Sequence, residues 1–308
     1  MSPQPVAWPP RQATLARLAR FGVTPRRSLG QNFLVDDNIL RLILDRVQAQ
    51  PSDVILEVGT GLGVLTEALL AEAGYVHSFE VDRSLRESLL RVFADQGERL
   101  GLHFQDVLSA ELERLQPAPT LCASNLPYSI AAPFLAEAVA RLPQVRRYVV
   151  MVQREVAERL AAAPGSKIYG GISVWVQLFA SVKEMRPLSR RIFYPVPRVD
   201  SILLTLERRK VRGLPAGDPV LVRWVIDSAF ASRRKMIVNS LSAATGLAKA
   251  EAEAVLRDAD LAPTLRAEQV SPAGYLALAE AFCSRSLRPP ATPPGMVGRI
   301  ATPRGEQQ

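Results

Sequence analysis

Asn125-Leu126-Pro127-Tyr128 follows the apolar run 120–123, which has the composition of a buried strand. An Asn-X-Pro-aromatic tetrad at a strand's carboxyl end suits one task, holding a planar amino group on a heteroaromatic ring. The Asn side-chain oxygen and the carbonyl before the proline can both accept from an exocyclic NH2. The proline lacks an N–H and fixes φ, so that carbonyl is not swung away. Tyr128 offers a flat face for a stacked base. Asn and Pro are also common in plain strand-end turns, so the tetrad needs support from the rest of the chain.

The first support is Gly59-Thr60-Gly61-Leu62-Gly63, directly after the buried-strand run 54–58. Glycines there let backbone approach a ligand closely. Glu80, about 20 residues on at the end of a second strand-like run, is placed to accept from ribose hydroxyls. The spacing G-x-G-x-G departs from the dinucleotide fingerprint and suits S-adenosylmethionine better than NAD. No G-x-x-x-x-G-K-[ST] is present, which excludes a phosphate-cradling ATPase loop. Asp106, at the end of a third run, would face the cofactor adenine; helix capping is the plain alternative for both acids. Glu57 supports either the loop or the cofactor's methionine amino group. The second support is Phe193-Tyr194-Pro195-Val196-Pro197-Arg198-Val199-Asp200-Ser201. Two prolines stiffen this loop, so that Phe193 is either held over a pocket, with a target base between it and Tyr128, or is a hydrophobic plug.

Such motifs need a scaffold that gathers strand ends. Strand-like runs at 54–58, 75–79, 102–105, 120–123 and 148–153 alternate with helical patterns at 64–72, 85–93 and 131–142. That alternation predicts an α/β, Rossmann-like parallel sheet with crossover helices. A helix over 36–47 precedes it, after a basic amphipathic segment at 11–21, and a later strand over 202–206 fits an antiparallel edge. At Glu207-Arg208-Arg209-Lys210-Val211-Arg212-Gly213 strand patterns stop. Helices follow at 219–231, 234–241, 249–259 and 272–283. The expected division is an extension over 1–24, partly disordered, a cofactor-binding catalytic domain over 25–210, a small all-helical domain over 211–287, and a disordered Pro-rich tail over 288–308.

Composition points to the partner. The 308 residues carry a net charge of +8, which favours a polyanion, nucleic acid first and an anionic membrane surface second. Lys supplies only five of the 38 basic side chains, and Arg suits phosphate and stacked-base contacts. Arg26 and Arg27, then Arg208, Arg209 and Lys210, then Arg233, Arg234 and Lys235 form three clusters. Each alone reads as a solvated face; together they favour a phosphate-tracking surface with steep salt dependence. Cys122 and Cys283 form no disulfide framework, and His77 and His103 lack ligand spacing, so no metal site is expected. No signal-peptide core or membrane-length apolar run occurs, and a reducing cytoplasm is the expected compartment.

Taken together the motifs resemble the small-subunit ribosomal RNA adenine N6,N6-dimethyltransferases of KsgA type. The matching pieces are Ser28-Leu29-Gly30-Gln31-Asn32-Phe33-Leu34, Glu57 to Thr66, Glu80-Val81-Asp82, Asp106, Asn125 to Tyr128, Gln153 to Leu160, Tyr169-Gly170-Gly171, Phe193 to Ser201, Ala229 to Lys235 with Asn239-Ser240-Leu241, and Arg266-Ala267-Glu268. They cover roughly residues 25–285 and are specific in combination. The resemblance implies S-adenosylmethionine contacts at Asn32, Leu34, Gly59, Gly61, Glu80, Asp106 and Asn125, and S-adenosylhomocysteine as product. It implies that Asn125, Leu126, Pro127 and Tyr128 serve the target adenine, with Phe193 on its other face. It also implies a small-ribosomal-subunit RNA substrate, dimethylated on two adjacent adenines of a hairpin near its 3′ end during ribosome biogenesis. Nothing suggests an obligate dimer, so a monomer is expected. Thr60 stands where the family often has Pro, Gln105 where Gly is common, and the Pro-rich tail lies outside the resemblance. A macrolide-resistance type of methyltransferase acting on large-subunit RNA shares the fold and cofactor motifs; Leu126 and the 233–241 segment favour the small-subunit reading. A third reading makes the chain chiefly a ribosome-assembly RNA-binding factor; intact Glu80, Asp106 and Asn125 argue for retained catalysis.

Overall fold

The computed structural model describes residues 13–26, 29–209 and 218–290. The chain divides into two compact units, the first running to Ala157 and resuming over Val182–Arg208, the second made of Glu158–Ser181 and the chain from Arg209 on.

In the first unit α1 (Ala13–Phe21), β1 (Phe33–Leu34) and α2 (Asp37–Val47) precede the sheet. The Asp36 side chain accepts from the Asn38 and Ile39 N–H groups and so starts α2, a cap worth about 1 kcal/mol. Next come β2 (Val54–Val58), α3 (Val64–Glu72), β3 (Tyr75–Phe79), α4 (Arg86–Val92), β4 (Leu100–His103), β5 (Leu121–Asn125), α5 (Ala131–Arg141), β6 (Arg147–Gln153) and α6 (Arg154–Ala161), whose residues after Ala157 count with the second unit. After α7 (Gly171–Phe179), which belongs to the second unit, β7 (Ala180–Leu188), β8 (Phe193–Tyr194) and β9 (Ser201–Arg208) complete the strands. The seven-stranded order is β4-β3-β2-β5-β6-β9-β7, and β1 pairs separately with β8. The pairs β3–β4, β2–β3, β2–β5 and β5–β6 are parallel, and β6–β9 is antiparallel. All five residues of β2 are buried, which explains why four of them are apolar; Glu57 is the exception.

Three strand expectations change. β4 ends at His103, so Asp106 lies beyond the strand and caps a 3-10 turn instead. β9 is antiparallel, but it is not the edge, because β7 lies outside it. β7 escaped notice because it is polar in its middle, mostly half-buried and carries Pro187, as an edge strand can. His77 and His103, unremarkable in sequence, meet across β3 and β4 with ring nitrogens 3.0 Å apart. Burial lowers the pKa of both.

In the second unit α7, α8 (Pro219–Phe230), α9 (Ile237–Thr245), α10 (Lys249–Asp258) and α11 (Pro272–Ser284) bury Trp175, Val225, Leu241, Leu256 and Phe282. Tyr169 and Tyr275 are fully buried and donate to the Val270 and Ala267 carbonyls, so no hydroxyl is stranded. This unit takes in residues 158–181, which the sequence pattern had put with the catalytic domain. The reason is packing: nearly all of α7 is apolar and buried, so it needs cover on several faces. Lys210, Val211 and Arg212, the extension over 1–12 and the tail over 291–308 lie outside the described residues.

Candidate active site

The site forms in the first unit, outside the carboxyl ends of the parallel strands where β2 has β3 on one side and β5 on the other. Crevices at such reversals of strand order are where open α/β sheets take ligands. A cavity of about 220 Å³ lies there, lined by the Gly59 loop, Glu80, Asp106, Asn125 to Ile130 and the 29–33 loop.

Gly59 and Gly61 both have φ in the left-handed region, at 84° and 56°. A Cβ on Gly59 would stand 3.2 Å from Pro127 Cδ and 3.4 Å from the Asn125 carbonyl oxygen. Only glycine lets the loop and the tetrad lie this close. Glu80 is buried, and its Oε2 accepts from the Gly61 N–H at 2.8 Å while Oε1 accepts from the Asp82 N–H at 2.8 Å. Burial raises its pKa against those two hydrogen bonds. Each oxygen keeps a second lone pair for a ribose hydroxyl. Asp106 is exposed at the rim, with Oδ1 accepting from Leu108 N–H.

Asn125 is oriented by its neighbour. Its Nδ2 donates to the Asn32 carbonyl at 2.8 Å, which leaves Oδ1 as the acceptor, without a hydrogen bond among the described residues. The Leu126 N–H donates to Met151 O, and the Leu126 carbonyl is likewise free of internal donors. Tyr128 Oη lies 2.6 Å from Ser201 Oγ, and burial holds the phenol above its ordinary pKa, hence neutral. The 29–33 loop is moored by Gln31 and Arg26, which donate to Asp82 at 2.9 and 3.1 Å. Burial opposes the Asp82 charge, but hydrogen bonds from Ser84 and Gln31 outweigh it and lower the pKa.

Glu57 is fully buried and does not line the cavity. Its Oε2 accepts from Thr66 and Ser78, each at 2.6 Å, and Thr60 Oγ1 lies 2.6 Å from Ser78 Oγ. Burial pushes its pKa up to about 8. Its Oε1 has no hydrogen-bond partner among the described residues. Of the two roles expected for Glu57, the geometry places it behind the loop. Cys122 is buried with its thiol pushed up to about 12, so it is no nucleophile.

The structure departs from the expected site at several positions. Leu34 is in the hydrophobic core and off the cavity wall; its carbonyl accepts from Thr14 Oγ1. Phe193 is 1% exposed, packed in the same core. Strand alternation sends it inward as the plug and turns Tyr194 outward. Arg208 also turns inward, donating to the Val139, Leu142 and Val145 carbonyls at the end of α5 and to Tyr148 Oη. Its guanidinium is a helix cap, not an RNA contact. Arg233 is engaged by Glu268 and by the Lys167 carbonyl. Arg233, Arg234 and Lys235 lie in the turn before α9, which starts at Ile237, and not in a helix. Arg209, Arg234 and Lys235 are exposed, Arg26 is half-exposed, and Arg27 and Lys210 are outside the described residues. Sequence reasoning missed Arg17, which donates to the Leu62 carbonyl and Glu67, and gave no role to Val81, which stands in the Glu80-Val81-Asp82 motif and whose exposed side chain lines the cavity.

A glycine loop against a strand-end tetrad on a mixed, mostly parallel seven-stranded sheet defines a class I, S-adenosylmethionine-dependent methyltransferase. The profile of the ribosomal RNA adenine dimethylases matches residues 22–282, and this chain belongs to that family. A ribosomal RNA small subunit methyltransferase A from Thermobifida fusca is 40% identical over 87% of this chain and 94% of its own length. A dimethyladenosine transferase from Plasmodium falciparum superposes with a TM-score of 0.68 at 24% identity, covering 82% of this chain and 98% of that one. The 23S rRNA methyltransferase ErmE does so at 0.60 and 25%, covering 82% and 100%. Among the described residues no helix is long and apolar enough to cross a membrane, and no group of acidic, His and Cys side chains is arranged for a metal.

Proposed function

We propose that this chain, a monomer in the cytoplasm, dimethylates N6 of two adjacent adenines in a hairpin near the 3′ end of small-subunit ribosomal RNA, using S-adenosylmethionine without a metal and releasing S-adenosylhomocysteine. The observation that carries this is the Asn125 amide on the cavity wall, whose Nδ2 is held by the Asn32 carbonyl so that Oδ1 is left to accept, followed directly in the chain by the Leu126 carbonyl.

The residues fit the cofactor. Gly59, Gly61, Glu80 and Val81 all line the cavity: the glycines would let backbone approach the cofactor, Glu80 would accept from ribose hydroxyls, and Val81 would offer an apolar wall. When bound, S-adenosylmethionine supplies an electrophilic methyl on sulfur. An adenine amino nitrogen is a poor nucleophile because its lone pair is delocalised into the ring. Asn125 Oδ1 and the Leu126 carbonyl accept its two hydrogens, favour pyramidal nitrogen and stabilise the positive charge that develops there. Tyr128 supports the base in line with the methyl. The cofactor held by the Gly59 loop and Glu80 would supply the methyl, its C–S bond giving way to the new N–C bond, and the nitrogen held by Asn125 and Leu126 would pass its proton to water. A monomethylated amine keeps one hydrogen for a second transfer. The base leaves its stack to enter, at about a few kcal/mol. RNA phosphates are assigned to Arg26, Arg209, Arg234 and Lys235, which are accessible, with Arg27 and Lys210 as further candidates.

The test is methyl transfer from labelled cofactor to unmodified small and large subunits in parallel, with nucleoside mass spectrometry. N6,N6-dimethyladenine confined to small-subunit RNA is expected. Label confined to the large subunit overturns the substrate assignment, and tight subunit binding without transfer overturns catalysis.

A further inference from the structure

We infer that Tyr194, with Arg191 and Arg198, forms a second nucleotide platform on the rim of the cavity, where the unpaired base next to the target adenine stacks. This rests on the RNA-methylating reading above and adds a subsite to it. Of the 193–201 loop, Phe193 is buried, whereas Tyr194 is 47% exposed, Val196 60% and Val199 41%. Three large apolar side chains facing solvent within six residues are a poor use of a surface unless something covers them. The loop is held at both ends by residues of the cavity wall. Tyr194 pairs with Phe33 across β8 and β1, and Ser201 hydrogen-bonds to Tyr128; Phe33 and Tyr128 both line the cavity. Pro195 and Pro197 stiffen what lies between. The ring is thus presented beside the adenine pocket on a backbone with little freedom left to lose on binding.

Charge selects the occupant. Arg190 and Arg154 both pair with the single Asp200 carboxylate, at 3.2 and 3.4 Å. Arg191 and Arg198 are exposed and have no acidic partner among the described residues. An exposed aromatic between free guanidinium groups matches single-stranded nucleic acid, in which each base has a π face and each link a phosphate. Drawing the target adenine out of its stack also leaves its neighbour without a stacking partner, and Tyr194 supplies one at the right place.

The experiment measures binding of a fluorescein-labelled hairpin RNA with two adjacent loop adenines, and of intact small subunits, to the full chain and its Y194A, Y194W and R191Q/R198Q variants. Cofactor affinity serves as the check on site integrity. The expected result is about tenfold weaker hairpin binding for Y194A, retention in Y194W, and a salt slope smaller by about two in R191Q/R198Q, all with unchanged cofactor affinity. Unchanged hairpin binding by Y194A overturns the platform. So does a loss seen with intact subunits but not with naked hairpin, which would make a ribosomal protein the partner. Failure of the wild-type chain to methylate either subunit would retire the catalytic reading, while the hairpin comparison still decides for Tyr194.

Discussion

Asn125→Ala tests the chemistry most directly, because one side chain holds two separable bonds. Its Oδ1 is the vacant acceptor for the adenine amino group, and its Nδ2 moors the 29–33 loop through the Asn32 carbonyl at 2.8 Å. Removing a preorganised group aimed at developing charge costs about 10²–10³ in kcat. Losing the mooring bond costs about 0.5–1.5 kcal/mol net, or about 2- to 12-fold in cofactor affinity. The rate effect is therefore the larger by an order of magnitude or more. Single-turnover methyl transfer at saturating cofactor reads the first, and calorimetric titration of cofactor reads the second. Asn125→Asp separates them further: an acceptor oxygen remains, but an oxygen now faces the Asn32 carbonyl where a donor stood, so cofactor affinity should fall below that of the Ala variant. If Asn125→Ala keeps its saturated rate within about threefold, the acceptor role is wrong. If rate and affinity fall by the same factor, the residue is a mooring and nothing more.

Gly59→Ala should weaken cofactor binding at least about tenfold, since left-handed φ costs about 1–2 kcal/mol and the new Cβ presses on Pro127; Gly97→Ala, with open space around it, should be silent in the same titration. Arg208→Ala should destabilise the fold by about 1.5–3 kcal/mol through its lost charged hydrogen bonds, read by urea denaturation. Its RNA affinity and salt slope should stay put, whereas Arg234→Gln should reduce the slope by about one. Glu57 sets a pH dependence. Its pKa is raised to about 8 in the fold against about 4.3 in the unfolded chain, so the folded state holds more protons between these values. The stabilisation from protonated Glu57 is full below the unfolded pKa and is lost as pH rises through about 8. Thermal melts from pH 6 to 9 should show the wild type losing ground relative to Glu57→Gln; parallel curves would sink the assignment.

Local chemistry made much of this protein legible. The alternation of apolar runs and helical patterns determined a parallel α/β sheet, because the period of side chains along a strand or helix is a property of short segments. The glycine loop, Glu80 and the Asn125 tetrad were readable for a similar reason: backbone permissiveness and a proline's missing N–H are written in single residues. Which way a side chain turns is not. Phe193 and Arg208 carry the right chemistry for base stacking and phosphate contact, yet one is core and the other caps α5, since burial depends on neighbours distant in sequence. The strand β7 and helix α7 were hidden likewise, one too polar to look like a strand, the other deciding its unit by what it packs against. The orientation of the Asn125 amide came only from the tertiary structure, because its deciding partner, the Asn32 carbonyl, lies 93 residues away along the chain.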